Sequence, residues 1–168
     1  MTEHTTRVSS AARRRTALAA GAAALAGLDL GLKGWAEDAL VGSPIEGGPL
    51  DLQLAYNPGV AFSMGATAPA WVVVTLTAVI TAAVAVAAWR TAPRSRASGT
   101  ALALILAGAA ANLIDRTADG VVTDYLHSGW WPTFNLADAF IVTGGIAIAL
   151  LSWRHPPTPE GKGSPPTP

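Results

Sequence analysis

Four long apolar segments divide the chain, with more polar stretches between them. They predict helices at about residues 16–36, 68–89, 98–114 and 136–153. Each segment is close to the roughly 20 residues with which an α-helix crosses the hydrocarbon core of a bilayer. The pattern therefore predicts an all-α integral membrane protein with four transmembrane helices.

The first apolar segment has a second interpretation. Its strongly apolar part, residues 16–28, is short and follows Arg13, Arg14 and Arg15, as in a secretory signal peptide. Asp29 and Lys33 lie one helical turn apart inside the segment. A membrane helix with an internal ion pair accounts for them better than a cleaved signal does.

The polar stretches predict little regular structure. Residues 1–15 and the Pro-rich tail 154–168 lack apolar periodicity, so we expect them to be disordered. Between the first two helices, LDLQLAY (50–56) alternates apolar and polar residues as a short strand does. The expected arrangement is a membrane domain over residues 16–153 with connecting loops at 37–67 and 115–135.

Composition supports the membrane assignment. Hydrophobic residues make up 51% of the chain and charged residues only 13%, and the mean hydropathy is +0.37. Soluble domains have about 25% charged residues. The formal net charge of zero gives no indication of nucleic-acid binding. The absence of Cys excludes disulfides and thiolate chemistry.

The basic residues predict the orientation in the membrane. Of the eleven Lys and Arg residues, all except Lys33 and Arg116 lie before the first helix, between the second and third, or after the fourth. The positive-inside rule places these three regions in the cytoplasm. Both termini are therefore expected inside, and the loop with the predicted strand is expected on the extracytoplasmic side.

Polar residues far apart in sequence should meet near the outer membrane surface. Ionisable groups at membrane depth are costly unless paired, so each is a candidate site residue. These candidates are Asp29, Lys33, Asn57, Asn112, Asp115, Arg116, Asp124, Asn135 and Asp138. Structural alternatives exist: a helix cap for Asn135 and Asp138, an ion pair for Asp29 and Lys33, and a hydrogen-bonded helix cluster for residues 112–116.

The available side chains restrict the possible chemistry. His127 is the only His on the outer side, which is too few for a zinc hydrolase or a Ser-His-Asp triad. Ser63 and Lys33 could form a Ser-Lys pair, although Asp29 would keep Lys33 charged. Asp124 and Asp138 could form a carboxylate pair that shares one proton and activates water.

Four sequence blocks resemble the lipoprotein signal peptidases (signal peptidase II), which are bacterial four-helix membrane aspartyl proteases. The blocks are YNPGVAFSMG (56–65), GAAANLIDR (108–116), GVVTDY (120–125) and FNLADAF (134–140). Their order and their placement in the predicted topology agree with the family from about residue 20 to 153. The chain departs from the usual family pattern at Pro58, Val60, Ala111 and Ala139.

The resemblance implies a catalytic pair, Asp124 and Asp138. It implies supporting roles for Asp29, Lys33, Asn57, Asn112, Asp115, Arg116 and Asn135. The implied substrates are prolipoproteins with a diacylglyceryl-modified Cys, cleaved just before that Cys. The expected enzyme is monomeric, contacts membrane lipid, needs no metal or organic cofactor, and works at the outer face of the bacterial inner membrane. The alternative is a non-catalytic membrane protein whose polar cluster is structural.

Overall fold

The computed structural model describes residues 2–59 and 69–154. Its elements are α1 (Thr2–Ala39), β1 (Asp51–Asn57), α2 (Ala70–Thr91), α3 (Arg96–Asp119), β2 (Val122–His127) and α4 (Leu136–Arg154). All four of these helices are long and apolar enough to cross a membrane. The predicted four-helix architecture is confirmed.

Helix α3 lies at the centre of the bundle and packs against α1, α2 and α4. Its closest approach to α4 occurs at two glycines. A Cβ on Gly108 would collide with the carbonyl oxygen of Ala137, and a Cβ on Gly144 would lie 2.6 Å from the carbonyl oxygen of Ala101. Small residues at such crossings let the two backbones pack tightly, as is common between membrane helices.

Two helix boundaries differ from the prediction by five residues or more, and α1 also ends three residues later than predicted, at Ala39. Helix α1 begins at Thr2, where the sequence pattern predicted an unstructured segment up to residue 15. Residues 2–15 contain no Gly or Pro and several good helix formers, which is compatible with a continuous helix. Helix α3 continues to Asp119 and ends at Gly120, whose φ of 91° is the left-handed conformation of a C-terminal cap. The predicted disordered tail, 155–168, lies outside the described residues.

A two-stranded antiparallel sheet caps one end of the bundle. β1 pairs with β2, with Asp51 opposite His127 and Asn57 opposite Val122. β1 lies one residue later than the predicted strand, and β2 was not predicted. Tyr125 of β2 packs in an apolar cluster with Ala36 and Leu40 at the end of α1. This contact fixes the sheet above the ends of the helices.

Candidate active site

Asn135 and Asp138 form the N-terminal cap of α4. The Asn135 Oδ1 accepts a hydrogen bond from the Asp138 backbone N–H at 2.9 Å, and the Asp138 Oδ2 accepts one from the Asn135 N–H at 3.3 Å. These reciprocal bonds are those of a capping box. The predicted cap is confirmed, and it also fixes the direction of the Asp138 carboxylate.

Asn135 contacts Asp124 as well. Its Nδ2 donates to the Asp124 Oδ1 at 2.7 Å, and the Asn135 side chain is completely buried. On the other side, the Asn112 Nδ2 donates to the Asp138 Oδ1 at 2.8 Å. Asn135 therefore links the strand that carries Asp124 to the helix that carries Asp138, although these two elements are not contiguous in sequence.

Lys33 lies at the centre of a buried polar network behind this pair. Its Nζ is 3.1 Å from the Asp29 Oδ2, 3.0 Å from the Asp115 Oδ2 and 2.6 Å from the Asn112 Oδ1. The predicted pair of Asp29 and Lys33 is thus present, and Asp115 joins it. Because Asn112 contacts both Lys33 and Asp138, it connects the buried ammonium group to the Asp138 carboxylate.

Arg116 holds the end of β1 beside the site. Its guanidinium donates to the backbone carbonyls of Asn57 and Gly59. The Asn57 Oδ1 in turn accepts the Gly59 N–H at 3.0 Å, which tightens the turn after the strand. Asn57 and Arg116 therefore line the same cavity as Asp124.

Three further residues complete the network, and the sequence analysis missed them. The Thr123 hydroxyl donates to the Glu37 Oε1 at 2.6 Å, and the Thr123 N–H donates to the Asp115 Oδ2 at 2.8 Å. The Tyr125 hydroxyl is 3.3 Å from the Asp29 Oδ1. Two patterns could have identified them: Glu37 follows Lys33 by four residues, as Lys33 follows Asp29, and Thr123 and Tyr125 flank Asp124 in an alternating strand.

Both aspartates line a cavity of about 450 Å³. α2, α3 and α4 form its walls, and apolar side chains such as Ile80, Leu113 and Ile141 line much of it. Helices α2 and α4 are both packed on α3 but make at most marginal contact with each other. The cavity therefore occupies the cleft between two membrane-length helices, with the carboxylates at one end.

The environment of Asp124 favours its neutral form. Burial is the main cause and the charge of Asp138 adds to it, so the pKa of Asp124 rises to about 7. Hydrogen bonds from Asn135 and Asn57 and the charge of Lys33 oppose the rise. Asp124 therefore holds a proton up to about neutral pH, which is the state that a general acid requires.

The geometry limits the competing chemistries. Over residues 2–59 and 69–154, no group of three or more His, Cys, Asp or Glu residues could hold a metal ion. Ser63 lies outside the described residues. Its hypothetical partner Lys33 is already engaged in ion pairs with Asp29 and Asp115.

The chain is similar to known proteins. A family model described as signal peptidase (SPase) II matches residues 21–154. A lipoprotein signal peptidase of Xylella fastidiosa (strain 9a5c) is 36% identical over 86% of this chain and 90% of its own length. One of Syntrophomonas wolfei is 39% identical over 65% of this chain and 71% of its own length. A solved structure titled as a bacterial membrane enzyme shares the fold, with a TM-score of 0.68 and 22% identity over 84% of this chain and 93% of that one.

Proposed function

The chain belongs to the signal peptidase II family, and on that basis we propose that it removes signal peptides from diacylglyceryl-modified prolipoproteins, cleaving just before the lipidated Cys. Family membership makes it a bacterial membrane protease. The observation that carries the finer proposal is the bridging of Asp124 and Asp138 by Asn135 at the wall of one cavity.

The proposed reaction is hydrolysis by an aspartate pair. Ionised Asp138, which accepts hydrogen bonds from Asn112 and from the Asn135 N–H, takes a proton from a water molecule. The water oxygen bonds to the scissile carbonyl carbon while protonated Asp124 donates its proton to the carbonyl oxygen. The carbon–nitrogen bond then breaks, and the leaving amine takes the proton that Asp138 received. One hydroxyl of the tetrahedral intermediate returns its proton to Asp124 as the carboxylic acid product forms, so both aspartates recover their starting states.

The cavity suits a substrate that lies in the bilayer. Its apolar walls between α2 and α4 fit an acyl chain or an apolar signal helix, and the polar end presents the two carboxylates to the scissile bond. The Lys and Arg distribution supports an extracytoplasmic site with both termini in the cytoplasm. Since one chain supplies both aspartates and their partners, we propose a monomer as the working unit.

The test is a gel-mobility assay of a purified diacylated prolipoprotein with the enzyme in detergent. Asp124→Asn and Asp138→Asn should each lower the cleavage rate by about three orders of magnitude or more, because each removes the base or the acid. Asp119→Asn is the matched control: Asp119 is exposed and accepts only the Val121 N–H in its own turn.

Three results would contradict the proposal. Near wild-type cleavage by either site variant would exclude the aspartate pair, and loss of activity in Ser63→Ala would favour a Ser-Lys mechanism. If the wild-type enzyme leaves the lipidated substrate intact while correctly inserted in the membrane, the chain is a non-catalytic member with a structural polar cluster.

A further inference from the structure

Asp124 has two neighbours that face away from the cavity. In a β-strand, successive side chains point to opposite sides, so Thr123 and Tyr125 point together towards α1 while Asp124 points into the cavity. Both flanking side chains are buried, with 1% exposure for Thr123 and 3% for Tyr125. Neither is among the residues that line the cavity.

Helix α1 holds each of these neighbours by a hydrogen bond from a hydroxyl to a carboxylate. The Thr123 hydroxyl donates to Glu37 at 2.6 Å, and the Tyr125 hydroxyl donates to Asp29 at 3.3 Å. Glu37 and Asp29 lie on the same face of α1, one turn to either side of Lys33. The strand of Asp124 is thereby attached to α1 on both sides of the aspartate.

Tyr125 and its partner Asp29 also form hydrogen bonds with α4, the helix that carries Asp138. The Tyr125 hydroxyl oxygen accepts the Leu136 N–H at 3.2 Å, and the Asp29 carboxylate accepts the Ala137 N–H at 2.9 Å. These are the first two amide groups of α4, which have no partner inside the helix. Tyr125 and Asp29 therefore join α1, the Asp124 strand and the start of the Asp138 helix at one point.

We propose that Thr123 and Tyr125 are positioning residues that hold Asp124 at its working distance from Asp138. The proposal rests on the proposed function. Removing the Tyr125 hydroxyl frees the strand from Asp29 and leaves the Leu136 N–H without its acceptor. Displacement of a catalytic group by about 1 Å can lower a rate a hundredfold. Because neither residue contacts the cavity, the loss should fall on kcat and leave KM unchanged.

The experiment compares Tyr125→Phe and Thr123→Val with the wild-type enzyme in the prolipoprotein assay. We expect kcat to fall about tenfold for Tyr125→Phe and about threefold for Thr123→Val, with KM within twofold of wild type. Thr117→Val is the matched control, because the exposed Thr117 hydroxyl bonds only the Ile114 carbonyl of its own helix. Each variant is also melted in detergent, and rates are taken per folded enzyme.

The outcomes separate the two proposals. If wild type cleaves, Asp124→Asn is inactive and Tyr125→Phe keeps wild-type kcat, the proposed function stands and the positioning role is overturned. A lower melting temperature with unchanged kcat also overturns it, since the hydroxyls would then serve stability alone. If Asp124→Asn is fully active, the proposed function itself fails.

Glu37 provides an independent test of the Thr123 attachment. Glu37→Gln keeps an oxygen that can accept from the Thr123 hydroxyl, whereas Glu37→Ala removes it. We expect Glu37→Gln to retain kcat within twofold of wild type and Glu37→Ala to match Thr123→Val. Equal and unchanged kcat in both Glu37 variants would overturn this part of the proposal.

Discussion

The two ends of the helix bundle differ in how far their charged side chains are buried. At the site end, Asp29 and Lys33 are almost completely buried and bond to groups on other elements. At the other end, arginines of α1 lie against α2: Arg15 donates to the Trp89 carbonyl at 3.1 Å and stacks over the Trp89 ring, and Arg14 donates to the Pro93 carbonyl. Arg90 is exposed there.

This difference in burial shows which charged side chains must keep the same protein partners. The guanidinium groups of Arg14 and Arg15 are only half-buried, so their contacts with carbonyl groups can be exchanged for water at little cost. A buried ammonium or carboxylate group must keep its protein partners, because losing them leaves a charge without solvent. The arginine end can therefore exchange its contacts for water, while the site end must hold several elements in one arrangement.

The strongest test of this contrast is Lys33→Met. It leaves the buried Asp29 and the half-buried Asp115 without their counter-ion, so the free energy of unfolding should fall by about 3–5 kcal/mol. The measurement is unfolding in mixed SDS and detergent micelles, followed by tryptophan fluorescence. The matched change at the other end is Arg15→Met. Equal effects of the two substitutions would show that the ends do not differ as described.

The sequence predicted the helices well because apolar length is a local property. The limits of α2 and α4 agree with the prediction to within about two residues. The partners of the strands and of the polar side chains could not be predicted in the same way. β2 is recognisable only once β1 lies beside it, and Glu37 has the sequence context of an ordinary solvated acid until Thr123 is placed against it.

The candidate site likewise combines features that the sequence could predict with contacts that it could not. The predicted topology placed the polar residues at one level, so Asp124, Asp138 and Asn112 could be grouped before any contact was known. The bridging role of Asn135 required the distance between β2 and α4, which no local pattern encodes. The hydroxyl of Tyr125 was missed because an aromatic residue in a strand is normally a packing residue.

Protonation of Asp124 is expected to have a smaller effect on the free energy of unfolding. Folding raises the pKa of this carboxyl from 3.8 to about 7, mainly by burial. Between these values the unfolded chain is ionised while the folded protein keeps its proton, so stability falls as pH rises, by up to about 1.4 kcal/mol per pH unit. Asp124→Asn lacks this loss. Between pH 4 and pH 8, its free energy of unfolding should therefore rise by about 2–4 kcal/mol relative to that of the wild type.

The measurement is the free energy of unfolding of both proteins at pH 4, 5.5, 7 and 8. The exposed Asp119 supplies the control variant, Asp119→Asn, which is measured over the same pH range. A gap between Asp124→Asn and wild type that stays constant, or narrows with rising pH, would contradict the assignment of a neutral Asp124.

Glycine substitutions compare a closely packed backbone position with an open one. In Gly108→Ala the new methyl group would collide with the Ala137 carbonyl and lie 2.8 Å from the Ile141 Cγ1. The start of α4 must shift, so we expect a loss of about 1–3 kcal/mol and a lower kcat. In Gly145→Ala the methyl group meets nothing within 4 Å and should change neither quantity. Unchanged kcat in a folded Gly108→Ala enzyme would show that α4 tolerates displacement beside Asp138.

The smallest effect is expected at the arginine end. Arg15→Met removes one hydrogen bond to a carbonyl and the contact with the exposed Trp89 ring, so the loss should be about 0.5–1 kcal/mol. High salt should weaken the wild-type contact and reduce the difference between the two proteins, whereas the deficit of Lys33→Met should persist because its partners are shielded from ions. Unfolding at low and high salt measures both. A salt-independent deficit for Arg15→Met would place Arg15 among the buried, geometry-fixing charges.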